Sequence, residues 1–128
     1  MLEEVSSLQE QAKFLHESCQ LEEALPLFDQ LYLALKQSGH ISSEFLDEYA
    51  ELCVSLGDVQ KSKKIYEESM SLFPEVSPQK YFSYAQLCCG EESVGFYMKG
   101  ISISTEQDKS QLASAYSALA EIYMTDLW

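Results

Sequence analysis

The chain has 128 residues, of which 46% are hydrophobic. It is therefore long and apolar enough for a folded core, and a disordered acidic tail is excluded. It carries 21 Asp and Glu against eight Lys and no Arg, which gives a formal net charge of −13. Such a surface repels nucleic acid and anionic membranes and attracts basic partners, so we predict no nucleic-acid and no membrane partner.

Four segments share one helical frame, a set of residues at positions i, i+3, i+4 and i+7 with an alanine at i+4. In chain order they are Leu8, Gln11, Ala12, Leu15; Leu46, Tyr49, Ala50, Cys53; Tyr81, Tyr84, Ala85, Cys88; and Tyr116, Leu119, Ala120, Tyr123. Positions i, i+3, i+4 and i+7 lie on one face of an α-helix. The four alanines are 38, 35 and 35 residues apart, which indicates an internal repeat.

A second helical pattern follows each of the first three segments, with a small residue four positions before an aromatic one. The pairs are Ala24 and Phe28, Ser62 and Tyr66, and Ser93 and Tyr97. Together the two patterns resemble the tetratricopeptide repeat, a helical hairpin of 34 residues. We therefore predict an all-α fold, a right-handed superhelix of about three and a half such hairpins. The predicted single domain covers 1–128, with repeats at about 5–38, 43–76, 78–104 and a partial one at 109–128.

The third repeat is shorter than the others. Ala85 and Ser93 are eight residues apart, whereas the equivalent residues of the first two repeats are separated by twelve. The shortened turn is followed by Gly95 and Gly100 inside a predicted helix. Glycine inside a helix lowers stability by roughly 1 kcal/mol relative to alanine. Close packing against a neighbouring helix is the interpretation that we favour for both.

The last helix has no partner helix after it. We predict an inward face of Leu112, Tyr116, Leu119, Tyr123 and Leu127, with apolar residues such as Ala115 and Ile122 left on the outside. A terminal helix of a repeat array normally has a polar outer side. Two explanations stay open: the chain is a shortened form of a longer protein, or this surface meets another molecule. We accordingly expect a monomer, or self-association through this helix.

The cysteines and histidines predict neither a cofactor nor a metal site. Cys19, Cys53, Cys88 and Cys89 form no CxxC pair, and neither histidine has metal-ligand spacing with two of them. Cys53 and Cys88 occupy equivalent repeat positions, where a buried, reduced thiol is expected. His16 and Cys19 lack a third orienting group, so we predict that the protein is not an enzyme.

The segment that carries most charge is the first helix of the second repeat. Its carboxylates Glu44, Asp47, Glu48 and Glu51 repeat at helical spacing, opposite the apolar stripe that begins at Leu46. In a superhelix of this kind the first helices line a concave groove. We predict that the groove binds a basic, extended protein segment, with Phe82 stacked on a guanidinium group. The alternative is a merely solvated acidic face. The predicted binding residues are Glu10, Glu17, Glu44, Asp47, Glu48, Glu51, Phe82, Gln86, Glu121 and Asp126.

Two segments of the last third resemble one particular family. Gly90, Glu91, Glu92, Tyr97, Gly100 and Ile101 match one motif, and Ala118, Glu121, Ile122, Tyr123, Thr125, Asp126 and Leu127 match another. Both are similar to segments of the dedicated assembly chaperones of the fourth large-subunit ribosomal protein. The resemblance covers roughly residues 5–127.

This resemblance implies a partner and a location. Family members are eukaryotic repeat proteins whose acidic inner surface holds the basic internal loop of the new ribosomal protein. The same client is implied here, with a cytoplasmic and nuclear location. Members of the family continue through further acidic helices, so the chain is expected to be shortened at its C-terminus. The open alternative is a generic tetratricopeptide-repeat scaffold for another basic partner.

Overall fold

A computed structural model describes the backbone of residues 2–125 and the side chains of residues 5–125. Within that range the chain is helical and forms no strand. The predicted all-α class of helical repeats is confirmed. The elements are α1 (Leu2–Glu17), α2 (Leu21–Ser38), α3 (Ser43–Ser55), α4 (Val59–Leu72), α5 (Gln79–Gln86), α6 (Gly90–Ile103), a 3-10 turn (Glu106–Asp108) and α7 (Lys109–Thr125).

The chain divides into two compact units, Met1–Ile65 and Tyr66–Trp128. The single domain and the superhelical curvature remain predictions. No helix in the described part of the chain is long and apolar enough to cross a membrane.

Local signals in the sequence fix where the helices of the first unit begin and end. Gly39 closes α2 in the left-handed conformation, with φ 74°, and its N–H reaches the carbonyl oxygen of Lys36. The side chain of Ser42 then accepts a hydrogen bond from the N–H of Phe45 at 3.1 Å and caps α3. These caps satisfy backbone groups that a helix end leaves without partners.

The core of the first unit is built on alanines and aromatic rings. Ala12 of α1 and Ala24 of α2 are both buried, which lets the two helices approach closely. Phe28 of α2 stacks on Phe45 and Tyr49 of α3, with ring centroids 5.6 and 6.0 Å apart. Each aromatic contact of this kind stabilises the fold by about 0.5–1.5 kcal/mol beyond the contribution of the area that it buries.

The same hydrogen bond occurs within each of two helical pairs, α3 with α4 and α5 with α6. The hydroxyl of Ser62 donates to the carbonyl oxygen of Ala50 at 2.9 Å, and the hydroxyl of Ser93 donates to that of Ala85 at 2.8 Å. All four residues are buried. The small residues of the repeat frame therefore allow close approach and also make a hydrogen bond across each pair.

The second unit is centred on a small core contributed by α5, α6 and α7. Its buried residues are Phe82, Ala85, Tyr97, Ala115 and Leu119. A Cβ atom added at Gly100 would lie 2.5 Å from Cε1 of Phe82, whereas one at Gly95 would meet nothing within 4 Å. The close-packing interpretation is therefore confirmed for Gly100 and wrong for Gly95.

The predicted inward face of α7 is correct for Leu119 and wrong for Tyr116 and Tyr123. Ala115 and Leu119 are buried, whereas Tyr116 and Tyr123 are 57% and 52% exposed. The helix packs on α6 through the face that carries Ala115, and the frame alanine, Ala120, is exposed. Leu112 is half-buried, and Leu127, the last residue of that prediction, lies outside the described part of the chain.

Candidate functional site

The carboxylates of α3 border a pocket in the first unit. Glu44 and Glu48 lie one helical turn apart on α3 and line one side of a cavity of about 330 Å³. Gln9 and Lys13, also four residues apart, contribute from α1. Residues spaced i and i+4 share one helix face, so each helix presents one polar pair to the pocket.

The floor of this pocket is apolar. Ala12 of α1, Phe28 and Leu31 of α2 and Phe45 of α3 lie beneath the polar pairs. All four are core residues. The pocket therefore places its acidic groups next to the apolar core of the unit, and its accessible groups are mainly the polar ones.

The environment of α3 disfavours the ionised form of two of its carboxyl groups. Burial raises the pKa of Glu48, and the neighbouring charge of Glu44 raises it further, while His16 and Lys13 act in the opposite direction. Burial likewise raises the pKa of Glu51, followed by the charge of Asp47. A cation placed beside these groups would favour their ionised form and so offset the effects of burial and of mutual repulsion.

Asp47 and Glu51 are not part of the same pocket. Asp47 accepts a hydrogen bond from the hydroxyl of Ser43 at 3.4 Å, and Glu51 is exposed. Of the four predicted carboxylates on α3, the pocket brings together Glu44 and Glu48. Of the other two, Glu51 acts on the pocket through its charge, which raises the pKa of Glu48.

The predicted residues of α1 are divided between different surfaces. Glu10 borders a separate concavity together with Gln11, Phe14 and Leu15. Glu17 is exposed near the end of the helix. Gln9 lines the pocket but is absent from the predicted binding residues. Its spacing of four residues from Lys13 places both on one face of α1 and could have identified it.

The second unit has its own pocket, of about 340 Å³, between α5, α6 and α7. Gln86 and Glu121, both predicted binding residues, line it. Tyr97 lies against the same cavity, and its pKa is raised by burial and then by the charge of Glu121. Both predicted polar residues are exposed and available to a ligand there.

Phe82 does not have the role that the sequence analysis gave it. Its side chain is 3% exposed and packs against Tyr97, with ring centroids 6.1 Å apart, and against Gly100. A buried ring cannot stack on the guanidinium group of a partner. Asp126, the last predicted binding residue, lies outside the described residues.

The cysteines are placed in different environments. Cys53 is a core residue, and burial raises the pKa of its thiol to about 11. Cys88, expected at an equivalent buried position, is half-buried, and its thiol donates to Glu92 at 3.2 Å. The described side chains contain no group of three or more His, Cys, Asp or Glu that could hold a metal ion.

A solved structure of the Assembly Chaperone of RpL4 (Acl4) superposes on the chain with a TM-score of 0.81. The chain has the fold of that chaperone. The match covers 97% of this chain at 23% sequence identity.

The likeness is one of fold. The chain spans about half of the Acl4 chain, 56% of which is covered. No protein-family model matches the sequence. No curated protein sequence matches it either.

Proposed function

We propose that the protein is a binding chaperone. It holds a basic, extended segment of a newly made ribosomal protein on its acidic first-helix faces and delivers that protein to ribosome assembly. It acts by binding and release, without catalysis and without a cofactor. The client that we propose is RpL4, and the place of action is the cytoplasm and the nucleus.

One observation carries this proposal: Glu44 and Glu48 stand over an apolar floor in a pocket of the first unit. The basic side chains of a client bind to these carboxylates, because each Arg or Lys head group forms charge-assisted hydrogen bonds with them. The net charge of −13 attracts such a segment over a longer range, so association is expected to be fast at low salt.

The fold supports the choice of client. Acl4 is the assembly chaperone of RpL4, and 56% of its chain has the fold that 97% of this chain adopts. Transfer of the client from a protein of 23% identity is our inference, and it agrees with the sequence motifs around Gly90 and Glu121.

The decisive experiment is a binding titration with three labelled peptides. The first is the most Lys- and Arg-rich segment of RpL4, the second has the same composition in scrambled order, and the third is an acidic segment of equal length. We expect binding of the RpL4 segment, with micromolar or tighter affinity at low salt, and no binding of the acidic one.

The outcomes separate the two open functions. Preference for the RpL4 segment over its scrambled form supports the dedicated chaperone. Equal binding of both basic peptides indicates a generic tetratricopeptide-repeat scaffold for basic partners. Absence of binding to either basic peptide contradicts both.

A further inference from the structure

The pocket that we assign to a basic segment already contains a cation. Lys13 of α1 lines it together with Glu44 and Glu48 of α3. Lysine is scarce in this chain, with eight residues against 21 acidic ones. The positive charge of Lys13 repels the basic ligand that the carboxylates attract.

The two helices are coupled through the charges of their side chains. The charges of His16 and, to a smaller extent, Lys13 lower the pKa of Glu48, against the larger effects of burial and of Glu44. Lys13 therefore stabilises the ionised form of the carboxylate in the absence of a partner. The same positive charge repels an incoming Lys or Arg head group.

We propose that Lys13 is an internal counter-charge that limits the affinity of this pocket for basic segments and so keeps their binding reversible. This inference rests on the proposed function. A guest cation must share the field of Glu44 and Glu48 with the ammonium group of Lys13, or displace it. Because the Lys13 side chain is exposed and has a flexible four-carbon stem, displacement requires no change in the backbone.

The opposite role has a distinct consequence. If Lys13 donated hydrogen bonds to backbone carbonyl groups of the guest, its removal would weaken binding. If it acts as a counter-charge, its removal strengthens binding. The sign of one measured change therefore separates the two roles.

The test compares Lys13→Gln with Lys64→Gln. Both substitutions remove one positive charge from an exposed position in a helix of the first unit, and glutamine is a good helix former. Lys64 lies on α4 and does not line the pocket. The difference between the variants thus isolates the position of the charge from the net charge of the protein.

The probes are the basic RpL4 segment and a hexa-arginine peptide. We expect Lys13→Gln to bind both peptides about three- to tenfold more tightly than the wild type at low salt, and the gain to disappear at high salt. Lys64→Gln is expected to change affinity less than about twofold, since Lys64 does not line the pocket and its exposed charge is screened by salt. Equal or weaker binding of Lys13→Gln overturns the inference.

A second measurement is independent of any client. The pKa of Glu48 is followed by NMR titration of its side chain in the free wild type and in Lys13→Gln. We expect a higher pKa of Glu48 in the variant, and an unchanged value overturns the inference even if no peptide binds. Failure of the wild type to bind basic peptides, with a raised pKa of Glu48 in the variant, instead counts against the proposed function alone.

Discussion

Gly100 of α6 faces the ring of Phe82 on α5 so closely that a Cβ atom there would lie 2.5 Å from Cε1 and 2.8 Å from Cδ1 of that ring. Phe82 is 3% exposed and packs on Tyr97, so it has little room to move. The absence of a side chain at residue 100 therefore determines how closely α5 and α6 pack in the second unit.

Gly100→Ala is expected to destabilise the protein by about 1–3 kcal/mol, the usual range for overpacking a core. Gly95→Ala, on the same helix but with open space around its Cα, should instead stabilise it by about 0.5–1 kcal/mol, because alanine is the better helix former. Urea unfolding of both variants measures the two effects. A similar change in the same direction for both would contradict the close contact.

A second prediction concerns Asp29, which joins three helices of the first unit. Its carboxylate accepts a hydrogen bond from the hydroxyl of Tyr49 and forms an ion pair of 2.8 Å with Nζ of Lys61. Burial and the hydrogen bond to Asp29 raise the pKa of Tyr49, which keeps this phenol protonated. Asp29→Ala is expected to cost about 1–2 kcal/mol, mainly because a buried hydroxyl loses its acceptor. The ion pair, which is only partly buried, contributes little.

The control for Asp29 is a double-mutant cycle with Tyr49→Phe. In the Tyr49→Phe background, residue 49 has no hydroxyl that could lose its acceptor. The effect of Asp29→Ala on the free energy of unfolding should therefore fall to a few tenths of a kcal/mol. Chemical denaturation of the four proteins gives the coupling. Additive effects would show that the hydrogen bond between Tyr49 and Asp29 contributes nothing measurable.

The carboxylates of α3 give a prediction about pH. Burial raises the pKa of both Glu48 and Glu51 above the ordinary value of 4.5. The folded protein therefore binds these protons more tightly than the unfolded chain does. The resulting stabilisation is complete below pH 4.5 and is lost as the pH rises through the raised values. Ionised at neutral pH, both groups destabilise the fold.

Glu48→Gln and Glu51→Gln should therefore unfold at higher urea concentration than the wild type at pH 7, and this advantage should vanish below pH 4.5. Glu91→Gln, at an exposed position of α6, is the control for removing one negative charge. Urea midpoints between pH 4 and pH 8 provide the measurement. An advantage that grows towards low pH would have the wrong sign.

The repeat frame was predictable where apolar residues occupy one face and polar residues the other. Leu46, Tyr49, Ala50 and Cys53 of α3 are all buried, as their spacing indicates, since the opposite face of that helix is acidic. In α7 apolar residues surround the helix. Periodicity alone cannot choose between the face of Ala115 and that of Ala120, because the choice depends on which helix packs against it.

The candidate site was predictable in part for the same reason. The two carboxylates that line the pocket, Glu44 and Glu48, follow from helical spacing. The burial of Phe82 does not, because large residues occur on several sides of the short helix α5, and the ring is accommodated by a glycine on another helix. Such contacts depend on tertiary packing, which a single helical pattern does not encode.

The most direct test of the acidic face removes its charge while keeping its shape. The variant carries Glu44→Gln, Asp47→Asn, Glu48→Gln and Glu51→Gln, and the control variant neutralises four exposed residues on other surfaces, Glu22, Glu23, Glu91 and Glu106. Both variants change the net charge from −13 to −9, since four negative charges are removed from the same chain. Circular dichroism checks that both stay folded.

Affinity for the basic RpL4 segment is then measured for the three proteins over a range of salt concentrations. We predict that neutralising the face of α3 weakens binding at least tenfold at low salt and flattens its salt dependence, whereas the control variant loses about threefold or less. Equal affinities and equal salt dependences for the two variants would contradict the assignment of the basic segment to Glu44, Asp47, Glu48 and Glu51.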